Sequence, residues 1–72
     1  MDKNVDTIAK IIEISAQSEV SFQDAIERGI TRANQTLKGL RGAWVKEQEV
    51  TVEDGKIAAY RVILKVTFVL GA

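Results

Sequence analysis

The chain has 72 residues, ten basic side chains against ten acidic ones, and no cysteine, histidine or proline. Composition therefore excludes disulfide frameworks, thiolate and imidazole metal sites, and every nucleophilic triad that relies on histidine. A net charge of zero leaves no global field to hold nucleic acid or an anionic membrane. At this length a single domain, residues 1–72, has a marginal core unless a staple or a partner supports it.

No apolar run approaches the roughly 20 residues of a membrane helix. Met1-Asp2-Lys3-Asn4 leads into a segment broken by Asp6, Lys10 and Glu13, which is not the pattern of a secretory signal. The expectation is a soluble, cytoplasmic protein with no nucleic-acid or membrane partner.

Residues 1–4 are polar, and residues 5–15 read as a first strand rich in β-branched side chains: Ile8, Ile11, Ile12 and Ile14. By spacing alone, Ile8, Ile11, Ile12 and Ser15 also fit a helix face. Ala16 to Val20 reads as a connection. Ser21-Phe22-Gln23-Asp24 resembles a capping box with Asp in place of Glu, and it opens a helix. Phe22, Ala25, Ile26, Gly29, Ile30, Ala33 and Leu37 then follow at helical spacing as one apolar stripe. Gly29 within that stripe costs about 1 kcal/mol against Ala, so a close helix–sheet approach is the expected reason for it. Lys38-Gly39 is expected to end the helix with a cation and a left-handed cap.

Residues 42–52 read as a second strand, Glu53-Asp54-Gly55-Lys56 as a tight hairpin turn, and residues 56–70 as a long third strand. Alternation puts Tyr60, Val62, Leu64, Val66 and Phe68 on one face, with Ala43 and Val45, against the helix stripe. The opposite face then carries Gly42, Trp44, Lys46, Gln48, Arg61, Ile63, Lys65 and Val69. The fold class is α+β, in the order β-α-β-β. One helix covers one face of a three-stranded sheet, so the second face and the open edges are expected to be buried by self-association.

Several stretches resemble the dodecin family. Ser18-Glu19-Val20-Ser21-Phe22-Gln23-Asp24-Ala25 is similar to its pattern S-x-x-S-[WF]-x-D-A, and Arg32-Ala33-Asn34-Gln35-Thr36-Leu37-Lys38-Gly39-Leu40-Arg41 to R-A-x-x-T-L-x-x-L-R. Glu53-Asp54-Gly55-Lys56, Tyr60-Arg61-Val62 and Lys65-Val66-Thr67-Phe68 resemble its hairpin and last strand, and Lys10-Ile11-Ile12-Glu13-Ile14 its first strand. The likeness spans about residues 8–70 and resolves the first segment as a strand. It implies a three-stranded antiparallel sheet wrapped around one helix. It also implies a hollow homo-dodecamer with no enzymatic activity that binds and stores flavin (FMN, riboflavin or FAD). The alternative it leaves is a structural or calcium-type cation-binding assembly that binds no flavin.

In flavin-binding dodecins a Trp of the second strand stacks on the ring; that position is Gly42 here, and Trp44 stands two residues on, about 7 Å along the strand on the same face. The ring-edge position, Gln in those members, is Arg61. The chain thus resembles the branch of the family without the stacking Trp. Its cofactor-binding candidates are Trp44, Arg61, Gly42, Lys46 and Gln48, with Lys65 on the same face. Trp44 serves either as a platform for a flat ring or as a subunit seal. Arg61 meets either a phosphate or ring edge, or an inter-subunit partner such as Glu47 or Glu49. Lys46, Gln48 and Lys65 either cradle an anionic group or form a solvated surface. Glu47, Glu49, Glu53 and Asp54 cluster near the hairpin without EF-hand spacing, so they read as surface charge and no metal site is assigned. Arg28, Arg32, Lys38 and Arg41 read as an exposed helix end, not a nucleic-acid patch. Asp54-Gly55-Lys56 lacks the length of a phosphate loop.

Overall fold

A computed structural model describes residues 8–70. Four elements follow one another: β1 (Ala9–Ser18), α1 (Phe22–Thr36), β2 (Leu40–Glu53) and β3 (Lys56–Val69). They form one antiparallel sheet in the order β1-β3-β2, so the last strand lies in the middle. The β-α-β-β expectation holds. The polar segment 1–4 and the expected start of β1 at residues 5–7 lie outside the described residues.

The central strand supplies the core. Its even-numbered side chains face the helix, and Val62, Leu64 and Val66 are fully buried with Ala25. Burying each large aliphatic stabilises by about 2 kcal/mol. Ile12, Ile14 and Ala16 of β1 pair in register with Val66, Leu64 and Val62, and they pack on the same cluster with Phe22, Ile26, Ile30 and Leu40. Near the helix N-terminus, Phe22 meets Tyr60 edge to face, centroids 5.1 Å apart, as the ring quadrupoles favour.

Gly29 brings the helix down onto the sheet. A Cβ there would lie 3.2 Å from both Ala16 Cβ and Leu64 Cδ1. The close approach expected of this glycine is therefore real, and it is directed at β1 and β3. This overturns part of the expected core. Ala43 and Val45 do share the helix-facing side, as partners of Val66 and Leu64, but the helix does not reach them. Ala43 is exposed and Val45 is 38% exposed. One helix diameter, about 10 Å, spans only about two strands at 4.8 Å spacing.

The entry to the helix also differs from expectation. β1 runs on to Ser18, so Ala16–Ser18 is strand and not connection. Ser18 is 5% exposed and organises the turn. Its Oγ accepts the Val20 N–H at 2.9 Å and the Ser21 N–H at 3.5 Å, and donates to Asp24 Oδ2 at 2.5 Å. Ser21 caps the helix as expected, its Oγ accepting the Asp24 N–H at 2.9 Å. The reciprocal bond of a capping box goes to Ser18 instead, because Asp24 turns toward Ser18 and toward the Arg28 Nε, 2.6 Å away. At the other end the helix stops at Thr36, with Leu37 extended as C-cap. Gly39 is left-handed at φ 78°, but it shapes the turn into β2, where its carbonyl accepts the Val69 N–H at 3.1 Å. Asp54 and Gly55, at φ 53° and 76°, form the hairpin turn, both residues left-handed as a type I′ turn requires.

Two outcomes test this core. Gly29→Ala is expected to destabilise by roughly 1 kcal/mol net, because displacing Ala16 outweighs the gain in helix propensity; a higher unfolding midpoint would refute the close-packing account. Ser18→Ala is expected to cost about 1–2 kcal/mol through the lost cap bonds. The Ser18 hydroxyl, and after it Arg28, holds the Asp24 carboxyl below its usual range. A depressed folded pKa stabilises above the unfolded value, near pH 4, and that contribution disappears as pH falls through the folded value. Thermal unfolding between about pH 5 and pH 2 should therefore show a shallower acid loss in Ser18→Ala than in the parent chain.

Candidate ligand-binding surface

The outer face of the sheet is ordered by the register of the strands. Glu13, Lys65 and Trp44 form one row across β1, β3 and β2. Ile11, Thr67 and Gly42 form the row on one side, and Ser15, Ile63 and Glu47 the row on the other. Trp44 stands 49% exposed and Ile11 50% exposed, both large apolar side chains on an open face. Gly42 and Trp44 share this face as alternation requires. Nothing lies within 4 Å of where a Gly42 Cβ would be, so the space beside Trp44 is open.

Alternation then fails. The register shifts between Val45 and Glu47, which leaves Lys46 bulged. Past the bulge, Glu47 and Glu49 pair with Ile63 and Arg61 on the outer face, while Gln48 pairs with the buried Val62. The expectation that Gln48 shares the face of Trp44 and Arg61 is corrected: one extra residue reverses the side of everything after it. Lys46 itself stays with the outer face, its Nζ 3.3 and 3.4 Å from the carboxylate oxygens of Glu13. Glu13 is the one partner on this surface that linear reading passed over, because it lies two strands away from Lys46.

Arg61 meets Glu49 within the chain, Nη1 to Oε1 3.6 Å. Glu49 is one of the two carboxylates expected to partner Arg61, and the contact seen here is made within one chain. Both side chains are largely exposed, so the pair contributes little to stability. A shallow hollow of about 280 Å³ opens here, lined by Glu47, Gln48, Glu49, Arg61 and Ile63. Gln48 contributes to this lining although its register partner lies on the helix side. Trp44 and Arg61 do not meet in one chain. Their register positions, opposite Lys65 and at Arg61 itself, are four residues apart, about 13 Å along β3.

A larger groove, about 650 Å³, lies on the other face between α1 and β2. Ile26, Ile30, Leu40, Ala43 and Leu64 floor it, and Arg41 stands in its wall. Among the described residues no three carboxylates converge as a metal site, and no helix is long and apolar enough to cross a membrane.

Comparison with known proteins agrees with this architecture. The family model described as Dodecin matches residues 8–71. The dodecin of Thermus thermophilus is 33% identical over 61 residues, which cover 85% of this chain and 88% of that protein. The structure of dodecin from Streptomyces davaonensis superposes with a TM-score of 0.87 at 34% identity, covering 93% of this chain and 98% of that one. The structure of calcium dodecin from Mycobacterium tuberculosis, described as a calcium-chelating antigen with a novel calcium-binding site, superposes with a TM-score of 0.77 at 34% identity, covering 89% and 91%.

Proposed function

Because the chain belongs to the dodecin family, we propose that it is a non-catalytic, cytoplasmic subunit of a hollow homo-dodecamer that holds flat aromatic ligands, flavin foremost, between neighbouring copies. The observation that carries this reading is the distribution of apolar surface. Trp44, Ile11, Ala43 and Val45 are exposed on a sheet whose helix lies over β1 and β3, with β2 reaching the core only through Leu40. Their natural cover is another copy of the chain, since most soluble oligomers are symmetric homo-oligomers.

The ligand reading follows from the same geometry. Within one chain Trp44 and Arg61 are too far apart to hold one ring system. Brought together from two subunits, the indole offers a stacking face and the guanidinium a planar hydrogen-bond fork. Lys46 lies beside Trp44, where it suits a phosphate tail. Gly42 is the weak point of this site, since the aromatic face that stacks on flavin in other members is missing. The competing occupant is calcium, for which a similar protein is named. Glu47 and Glu49 offer oxygen donors on the same face, but the nearby Arg61 cation opposes a metal there, and the Glu13 carboxylate is held by Lys46.

Light scattering on purified protein should give a mass close to twelve chains; a single-chain mass would overturn the assembly. Flavin titration should quench Trp44 fluorescence, and in Trp44→Ala the binding, followed by the flavin's own emission, should be lost while the assembly mass persists. Calcium addition should leave that fluorescence and the melting temperature unchanged. Gly42→Trp, for which the open space above Gly42 leaves room, should tighten flavin binding by about tenfold or more, the worth of one added stacking face. An unchanged affinity would place the ligand elsewhere.

A further inference from the structure

Beyond Tyr60, β1 has ended and β2 and β3 continue alone as a two-stranded arm closed by the Asp54-Gly55 turn. An isolated pair of strands is marginal in water without a surface to pack on. Val52 and Ile57 are register partners near the tip, so they point to one side, and they stand 59% and 55% exposed. The tip beyond them carries the carboxylates of Glu53 and Asp54 against the single cation of Lys56, which leaves it net negative. At the other end of the molecule, the α1/β2 groove offers the complement: an apolar floor of Ile26, Ile30, Leu40 and Ala43, with the Arg41 cation in its wall.

We propose that the hairpin arm of one copy docks in the α1/β2 groove of the next, Val52 and Ile57 on the apolar floor and the acidic tip against Arg41. The arm does not reach its own groove. Ala43 pairs with Val66 and Val52 with Ile57, nine residues apart along β3, or about 30 Å of extended strand. The contact is therefore intermolecular and joins two different patches, the kind of contact that propagates round a ring until it closes. It also covers the apolar surface of β2 that its own helix leaves open. This inference rests on the self-assembly proposed above and specifies which surfaces meet.

The test uses the whole chain. Ile57→Asp should lower the assembled fraction at micromolar concentration by about tenfold or more, since it places an unpaired charge in an apolar contact. Glu53→Arg and Arg41→Glu should each weaken the assembly, and the double variant should restore it, a rescue that a merely misfolded chain does not show. Because the chain has no native cysteine, Val52→Cys combined with Ala43→Cys gives a second readout: oxidation should yield covalently linked chains on a non-reducing gel. A full-sized assembly with no cross-link and no response to Ile57→Asp overturns the arm contact alone. A monomeric parent chain overturns both this contact and the assembly it belongs to.

Discussion

The contact of Gly29 with Ala16 and Leu64 governs the rest of the structure. A residue without a side chain lets the helix settle deeply, and the two atoms it meets belong to the edge strand β1 and the central strand β3. Depth in one place fixes position everywhere along a rigid helix. Once α1 lies over those two strands, the third is met only at its start, by Leu40, and Ala43 and Val45 on the inner side of β2 face solvent in the single chain. The core is correspondingly narrow: Val62, Leu64 and Val66 are its only large fully buried side chains among the described residues. Such a core stabilises the helix–sheet contact but leaves much apolar surface in water, which is the condition that association relieves.

The entry to the helix depends on the same seating. Ser18 ends β1 with its hydroxyl buried, and one oxygen joins two loop amides to the Asp24 carboxylate. This ties the last residue of the strand to the first turn of the helix, so the angle at which α1 leaves β1 is set by hydrogen bonds as well as by packing. Arg28, one turn further, extends the arrangement along the helix surface.

On the outer face a single bulged residue has a comparable effect. By leaving Lys46 unpaired, β2 keeps Trp44 and Lys46 on the outer side and then brings Glu47 and Glu49 to it as well, opposite Ile63 and Arg61. The face is thereby divided into an aromatic and cationic region around Trp44 and Lys46 and a mixed-charge region around Arg61. In the proposed binding role a flat ligand takes the first region, with Lys46 at its tail, and the Arg61 fork of a neighbouring copy meets its edge. The proposed binding role and the proposed assembly are for this reason one claim about one surface.

Local patterning was enough to read the helix, its Ser21 cap, the hairpin at Asp54-Gly55 and the inward set Val62, Leu64 and Val66, since each is written in residues close together in the chain. It also anticipated the close approach at Gly29, because a glycine in an apolar stripe has few other uses. Ordered motifs spread from Lys10 to Phe68 pointed to the dodecin family, and Gly42 in place of the stacking Trp was legible from them. The side of Gln48 was not legible. A bulge is a property of two paired strands, and period-two counting on one strand carries no mark of it beyond the adjacent charges Lys46 and Glu47. Nor was the exposure of Ala43 and Val45, which depends on where the helix lies across the sheet and not on which face they point to. The pairing of Lys46 with Glu13, 33 residues away and two strands over, likewise follows from the strand order β1-β3-β2. Sequence determined what lies close along the chain; the tertiary structure decided which strands the helix covers and which charges meet, because those depend on distances across the sheet that no local spacing encodes.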